Sequence, residues 1–165
     1  MYSTEIRHFA KNPQGALFQE LANDIKIYIG GSIEDKDAYL FYLNQNDQVV
    51  GNHLRKYLFG WKLKSSHTGS GLDVSVKQIL SQYNTGPRED KSKFYFGLTS
   101  IEHARKMIID GEYDAILIPL DEHLPKNVTA RSKYLWYAYF EDHTPESHDG
   151  IEVFDEFNNL IYQSS

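Results

Sequence analysis

Apolar and polar positions are most sharply ordered between Lys93 and Leu120, KFYFGLTSIEHARKMIIDGEYDAILIPL, where the spacing predicts strand, helix, strand. Lys93 to Leu98 is short and aromatic, as strands are. Thr99 stands three residues before Glu102, the spacing of a capping box in which a hydroxyl and a carboxylate satisfy the first free amides of a helix. Ile101, Ala104 and Ile108 then recur at helical spacing, with Glu102, Arg105 and Lys106 off the stripe, and Gly111 offers a left-handed stop. Tyr113 to Ile118 is almost continuously apolar, the pattern of a strand covered on both faces. Such a strand needs layers above and below it, and packed helices are the simplest cover.

Elsewhere the pattern is more broken. Asn12-Pro13 predicts a helix start, with Asn as cap, and Leu17, Phe18, Leu21 and Ile25 follow at helical spacing, although Gly15 weakens the first turn. Ile25, Ile27 and Ile29 alternate with polar neighbours and predict a strand ended by Gly30-Gly31-Ser32. Ala38–Leu43 and Gln48–Val50 flank Asn44–Asp47 as the arms of a hairpin. Tyr57, Phe59, Trp61 and Leu63 alternate with Lys56, Lys62 and Lys64, giving a strand with one wet face. Ser65–Gly71 reads as a loop, Leu72, Val76, Ile79 and Tyr83 as a helix stripe, and 84–92 as a polar connection. Lys133–Phe140 is a strongly aromatic strand between the loops 121–131 and 142–150, and Ile151–Tyr162 is a hairpin turning at Asn158-Asn159. These elements predict a single α+β domain over residues 1–165, with one mixed or mostly antiparallel sheet and about three helices packed mainly on one face.

Composition narrows the classes of function. At 165 residues and 41% hydrophobic the chain is long enough for a real core. It has no cysteine, which excludes disulfides, thiolate catalysis and cysteine-held metal centres. No apolar run approaches the roughly 20 residues of a spanning helix, and MYSTEIRHFAKN lacks the apolar core of a signal peptide. A soluble, cytoplasmic protein is the expectation. The net charge of −6 is unevenly spread, since twelve acidic and three basic residues follow from Asp110 onward. Bulk duplex DNA is a poor partner for such a chain.

Three clusters could carry chemistry. In Ser65-Ser-His-Thr-Gly-Ser-Gly71 small residues could bring amides to an anion, with Ser66, Thr68, Gly69 and Gly71 as contacts and Lys62 and Lys64 as clamps. His67 is the candidate acid or base there. Glu141-Asp-His-Thr-Pro-Glu-Ser-His-Asp149 has metal-ligating side chains but sits in a polar loop, so no metal or cofactor is expected. Asp121-Glu-His123 follows a strand end, where ligand sites gather in open α/β sheets. Two family signatures fail: Gly30-Gly-Ser32 lies too close to Asp35-Lys-Asp37 for a nucleotidyltransferase, and Pro119 stands where a response-regulator receiver needs Asp.

Two functions remain. In the first, a non-catalytic binding module of immunity, antitoxin or inhibitor type shows an acidic, aromatic-rich face to a basic partner protein. Trp136, Tyr137, Tyr139, Glu141, Asp142, Glu146 and Asp149 would form that face, with no membrane contact. In the second, a small enzyme or binding protein takes a phosphorylated or otherwise anionic molecule at Ser65–Gly71.

Overall fold

A computed structural model describes residues 9–72, 82–83, 93–128, 132–140 and 150–164. The chain divides into two compact units, Met1–Gly71 and Leu72–Ser165. Strands dominate both, with a single helix among the described residues, so the expected α+β arrangement of three helices on one sheet is overturned. The described residues form two sheets, and every strand pairing in them is antiparallel.

The first unit is helix α1 (Pro13–Leu21) followed by a four-stranded meander: β1 (Ile25–Glu34), β2 (Asp37–Asn44), β3 (Gln48–Tyr57) and β4 (Gly60–Gly71), paired in that order. The helix begins as its residues dictate. Pro13 takes the first position, and Asn12 accepts the Gly15 amide at 2.6 Å. Ala16 and Leu17 pack on one face of the sheet, against Ala38, Leu40 and Tyr42 of β2, Val50 and Leu54 of β3 and Trp61 of β4. Each large apolar side chain withdrawn there contributes about 1.5–3 kcal/mol before the entropy of ordering it. Tyr39, Phe41 and Leu43 alternate with that set and are buried as well, so β2 hides both its faces.

Gly30-Gly31-Ser32 does not end β1. The pairing with β2 shifts between Tyr28 and Gly30 and continues to Glu34. Gly30 has φ 117°, and a Cβ on Gly31 would lie 1.8 Å from the Tyr39 carbonyl oxygen. The β-bulge is thus at Ile29, the residue left out of the register, and the glycines after it let the strand bend without stopping.

The second unit contains β5 (Gln82–Tyr83), β6 (Lys93–Thr99), β7 (Lys106–Ile109), β8 (Tyr113–Pro119), β9 (Tyr134–Phe140), β10 (Ile151–Phe154) and β11 (Leu160–Gln163). Their order across the sheet is β11-β10-β7-β8-β9-β6-β5. Met107, Ile109, Trp136, Ala138, Tyr95, Ile151 and Val153 converge on one face as its core.

The predicted helix after Thr99 is absent. His103 has φ 63°, the Ile101 amide donates to Thr99 Oγ1 at 3.2 Å in a local turn, and Lys106–Ile109 pairs with β8 and β10. Asp110 and Gly111, at φ 53° and 68°, form a hairpin turn and not a helix stop. The apolar spacing fitted a helix, but pairing on both sides converts it to alternation: Met107 and Ile109 are buried and Lys106 is exposed. β8 is only half-buried along most of its length, with Asp114 exposed, and is not the doubly covered strand its run suggests. Of the helix expected from Leu72, residues 73–81 lie outside the described ones, and Tyr83 belongs to β5.

Candidate functional site

In the β3–β4 hairpin Tyr57 pairs with Gly60, leaving Leu58 and Phe59 as a two-residue tip. Gly60 has φ 133°, and a Cβ there would stand 2.4 Å from the Ala10 carbonyl oxygen. Only glycine allows that approach. Ala10 and Trp61 exchange both backbone bonds, at 3.0 and 2.8 Å, so the chain before α1 crosses the root of the hairpin.

This crossing seats Phe9 beside the tip. Its ring meets Tyr57 edge-on at 5.7 Å and Phe59 at 6.3 Å, while Lys62 Nζ lies 5.8 Å from its centre. Lys64 Nζ lies 5.9 Å from the Tyr57 ring, so cations cover two of the three rings. The outermost side chains are apolar: Leu58 is 91% exposed and Phe59 60%. Between Arg55 and Lys64 the chain has four cations (Arg55, Lys56, Lys62, Lys64) and no acid. Arg55 is partly engaged, 3.8 Å from Asp37. The neighbouring β1–β2 turn brings Glu34 and Asp35 as well as Lys36, whose carbonyl accepts the Lys56 amide at 2.7 Å, so the local field is tempered but remains positive.

A second polar set lies inside the sheet of this unit. His53 Nε2 is 2.7 Å from Asp37 Oδ1, and its ring stacks on Tyr39 at 5.2 Å. Asn52 donates to the Leu40 carbonyl at 2.9 Å and accepts from Ser66. Tyr42 donates to Asp24 at 2.6 Å. Burial first, then the Asp24 bond and charge, push the Tyr42 phenol above the usual tyrosine range, so it stays protonated. Ser65 stands opposite His53 in the β3–β4 register, and Asp, His and Ser therefore neighbour one another. At 2% exposure, however, the imidazole meets no substrate without the sheet opening, and the arrangement is a satisfied buried network.

The predicted anion loop is strand. Ser65–Gly71 belongs to β4 because β3 supplies a full row of partners for its backbone, which outweighs the small polar side chains. Register brings Lys62, Lys64, Ser65 and His67 to one face, the shift at Lys64 placing Ser65 there as well. Ser66 and Thr68 take the other face, and Gly69 and Gly71 lie at the far end of the strand. Lys62 and His67 are thus on the order of 15 Å apart along an extended backbone, too far for one small anion.

Trp136 and Tyr137 are buried in β9, at 1% and 0% exposure, where they pack the core of the second unit instead of offering anchors. Tyr139 pairs with Phe94 within the same sheet. Glu141, Asp142, Glu146 and Asp149 lie outside the described residues, as does the 141–149 ligand cluster. Among the described residues no group of three metal-ligating side chains gathers. Asp121 borders a cavity of about 280 Å³ together with Leu120, Leu124, Pro125, Lys126 and Lys133, whereas Glu122 and His123 do not line it. The hairpin tip was missed because Tyr57 and Phe59 fit an alternating strand. The available signal was Leu58, which breaks the alternation by making Tyr57-Leu58-Phe59 a run of three apolar residues directly before Gly60. No protein-family model matches this chain, and neither the curated proteins nor the solved structures provide a match.

Proposed function

We propose that this protein is a non-catalytic binding module that engages an anionic partner through the β3–β4 hairpin tip. One observation carries the reading: four cations and no acid in residues 55–64 bracket a leucine that is 91% exposed. Exposed apolar side chains occur singly on any surface, but here Leu58, Phe59, Tyr57 and Phe9 are contiguous and rimmed by lysines. Apolar contact would supply affinity, and the cations would supply attraction and encounter rate. Of the acidic face expected for a basic protein, Trp136 and Tyr137 are buried and the four carboxylates lie outside the described residues, so the reading is built on the tip.

The test is retention of the protein on three anionic surfaces: beads coated with acidic phospholipid, with polyglutamate, and with a single-stranded oligonucleotide. At about 0.1 M salt the wild type is retained on at least one of them. Lys56→Glu/Lys62→Glu/Lys64→Glu and Leu58→Ser/Phe59→Ser each weaken that retention about tenfold or more, with unchanged circular dichroism. Retention on none of the surfaces, or wild-type retention of either variant, overturns the reading.

A further inference from the structure

Building on that reading, we infer that the tip is a peripheral membrane anchor: Leu58 and Phe59 enter the interfacial layer of an anionic bilayer while Lys56, Lys62 and Lys64 remain at the phosphates. Three observations select lipid among anionic partners.

The first is the side chain that leads. Leu58 is the most exposed large apolar residue among the described ones, and an aliphatic group offers no face on which a nucleic-acid base could stack. The rings behind it are already engaged, Phe9 with Tyr57 and Phe59, and Lys62 and Lys64 lie over Phe9 and Tyr57. Stacking platforms present free ring faces, and cations lie over those of Phe9 and Tyr57.

The second is shape. Leu58 and Phe59 occupy a two-residue turn at the end of two paired strands, a narrow convex point. A protein partner would need a pocket cut to fit it and a surrounding interface of hundreds of square ångströms. A fluid interface closes around any convex apolar tip, and penetration of about 5–10 Å suffices.

The third is the placement of charge. Lys62 and Lys64 hold their ammonium groups over the rings of Phe9 and Tyr57, which lie behind the two tip residues. This is the layering an interface demands, apolar body inward and cation at the headgroup level. The β10–β11 hairpin also exposes apolar residues, with Phe157 at 76% and Leu160 at 48%, but it has Glu152, Asp155 and Glu156 around it and Arg105 and Lys106 beside Phe154. It lacks the acid-free cationic rim of the β3–β4 tip, and it serves as an internal control. Two apolar side chains bury little area, so contact through this point is superficial and reversible.

The chain has no cysteine, so Leu58→Cys and Phe157→Cys each accept one environment-sensitive fluorophore without background. The labelled proteins are titrated with vesicles of phosphatidylcholine alone and with about one quarter phosphatidylglycerol added. The label at 58 is expected to shift to the blue only with the mixed vesicles, and the label at 157 with neither. Lys62→Glu/Lys64→Glu should weaken the response by roughly 25-fold or more, about fivefold for each cation removed. Flotation of the unlabelled wild type against Phe59→Asp guards against a contribution from the dye, with only the wild type rising with the mixed vesicles. The proposal is overturned if position 58 fails to shift, shifts equally with neutral vesicles, or shifts no more than position 157. Tip-dependent retention on polyglutamate or oligonucleotide without vesicle binding overturns the lipid assignment and leaves the binding-module reading standing. Retention on no surface overturns both.

Discussion

The β3–β4 and β10–β11 hairpins both leave large apolar side chains in water at their turns, and they are fixed by opposite means. The β10–β11 turn is tied by its own side chain. Asp155 accepts the Phe157 and Asn159 amides at 2.9 and 2.8 Å and the Asn159 side chain at 3.1 Å, while Asn158 takes φ 63°. Phe157 is exposed as a by-product of that closure, with Asp155 and Glu156 beside it and Arg105 and Lys106 across at Phe154. The β3–β4 turn is fixed from below, by Gly60 and by the Phe9–Ala10 segment bonded across Trp61. Its two tip residues are left to contact something else, among cations. Exposure alone therefore does not distinguish a binding tip from a surface turn. What holds the turn and what charge surrounds it do.

The largest effect is expected where the tip is rooted. Gly60→Val places a β-branched side chain at φ 133° and a Cβ 2.4 Å from the Ala10 carbonyl oxygen, so the crossing segment must move. A loss of about 2–4 kcal/mol is expected. Gly111→Ala, at φ 68° with no atom within 4 Å of the new Cβ, carries only the left-handed penalty of about 1–2 kcal/mol. The two tryptophans make the measurement specific, since Trp61 lies in the first unit and Trp136 in the second. Urea midpoints followed by their emission should separate the variants. Equal costs would mean that the Phe9–Ala10 crossing does not hold the tip.

A smaller, pH-dependent effect is expected in the other hairpin. The Asn159 amide, then its side chain, then the Phe157 amide hold the Asp155 carboxyl below its ordinary value of 3.8, with a further lowering from His103. A folded value below the unfolded one gives a contribution that is complete above pH 3.8 and is lost as pH falls through the folded value. Protection of the Phe157 and Asn159 amides from hydrogen exchange, corrected for intrinsic rate, should fade over that acid range. In Asp155→Ala those two amides lose protection at every pH. The first hairpin has no carboxylate closing its turn, and its amides should show no such limb. Matching acid limbs in both hairpins would erase the distinction between them.

Local signals in the chain suffice where one residue decides one turn. Asn12-Pro13 starts the helix, Asn44–Asp47 turns the β2–β3 hairpin with Asp47 at φ 59°, and Asn158 turns the last hairpin. They mislead where two periodicities share the same apolar residues. Ile101, Ala104 and Ile108 suit a helix, and Met107 with Ile109 suits a strand; pairing with β8 and β10, invisible locally, decides for the strand. Asp110-Gly111 was legible as a hairpin dipeptide, but the capping-box spacing of Thr99 and Glu102 drew it into a helix end. Ser65–Gly71 looked like loop because its side chains are small and polar, whereas its backbone is fixed by β3. The lysines of the candidate site were visible from the outset. The tip they surround was not, since Phe9 reaches it only through the crossing at Trp61.

The smallest effect separates the two exposed residues most cleanly. Leu58→Ser and Phe157→Ser both remove side chains that already face water, at 91% and 76% exposure, so neither should change unfolding free energy by more than about 0.5 kcal/mol. The Asp155 bonds to Phe157 run to its backbone amide, which serine retains, and the root of the first tip lies at Gly60 and Ala10. Stability is thus expected to be blind to both substitutions, leaving any functional difference to arise at the surface. A cost near 2 kcal/mol at Leu58 would mean that its side chain packs on the fold, and the tip would then be a structural closure and not a contact. The same cost at Phe157 would show that its ring helps Asp155 to hold the turn, and the two hairpins would differ in packing as well as in charge.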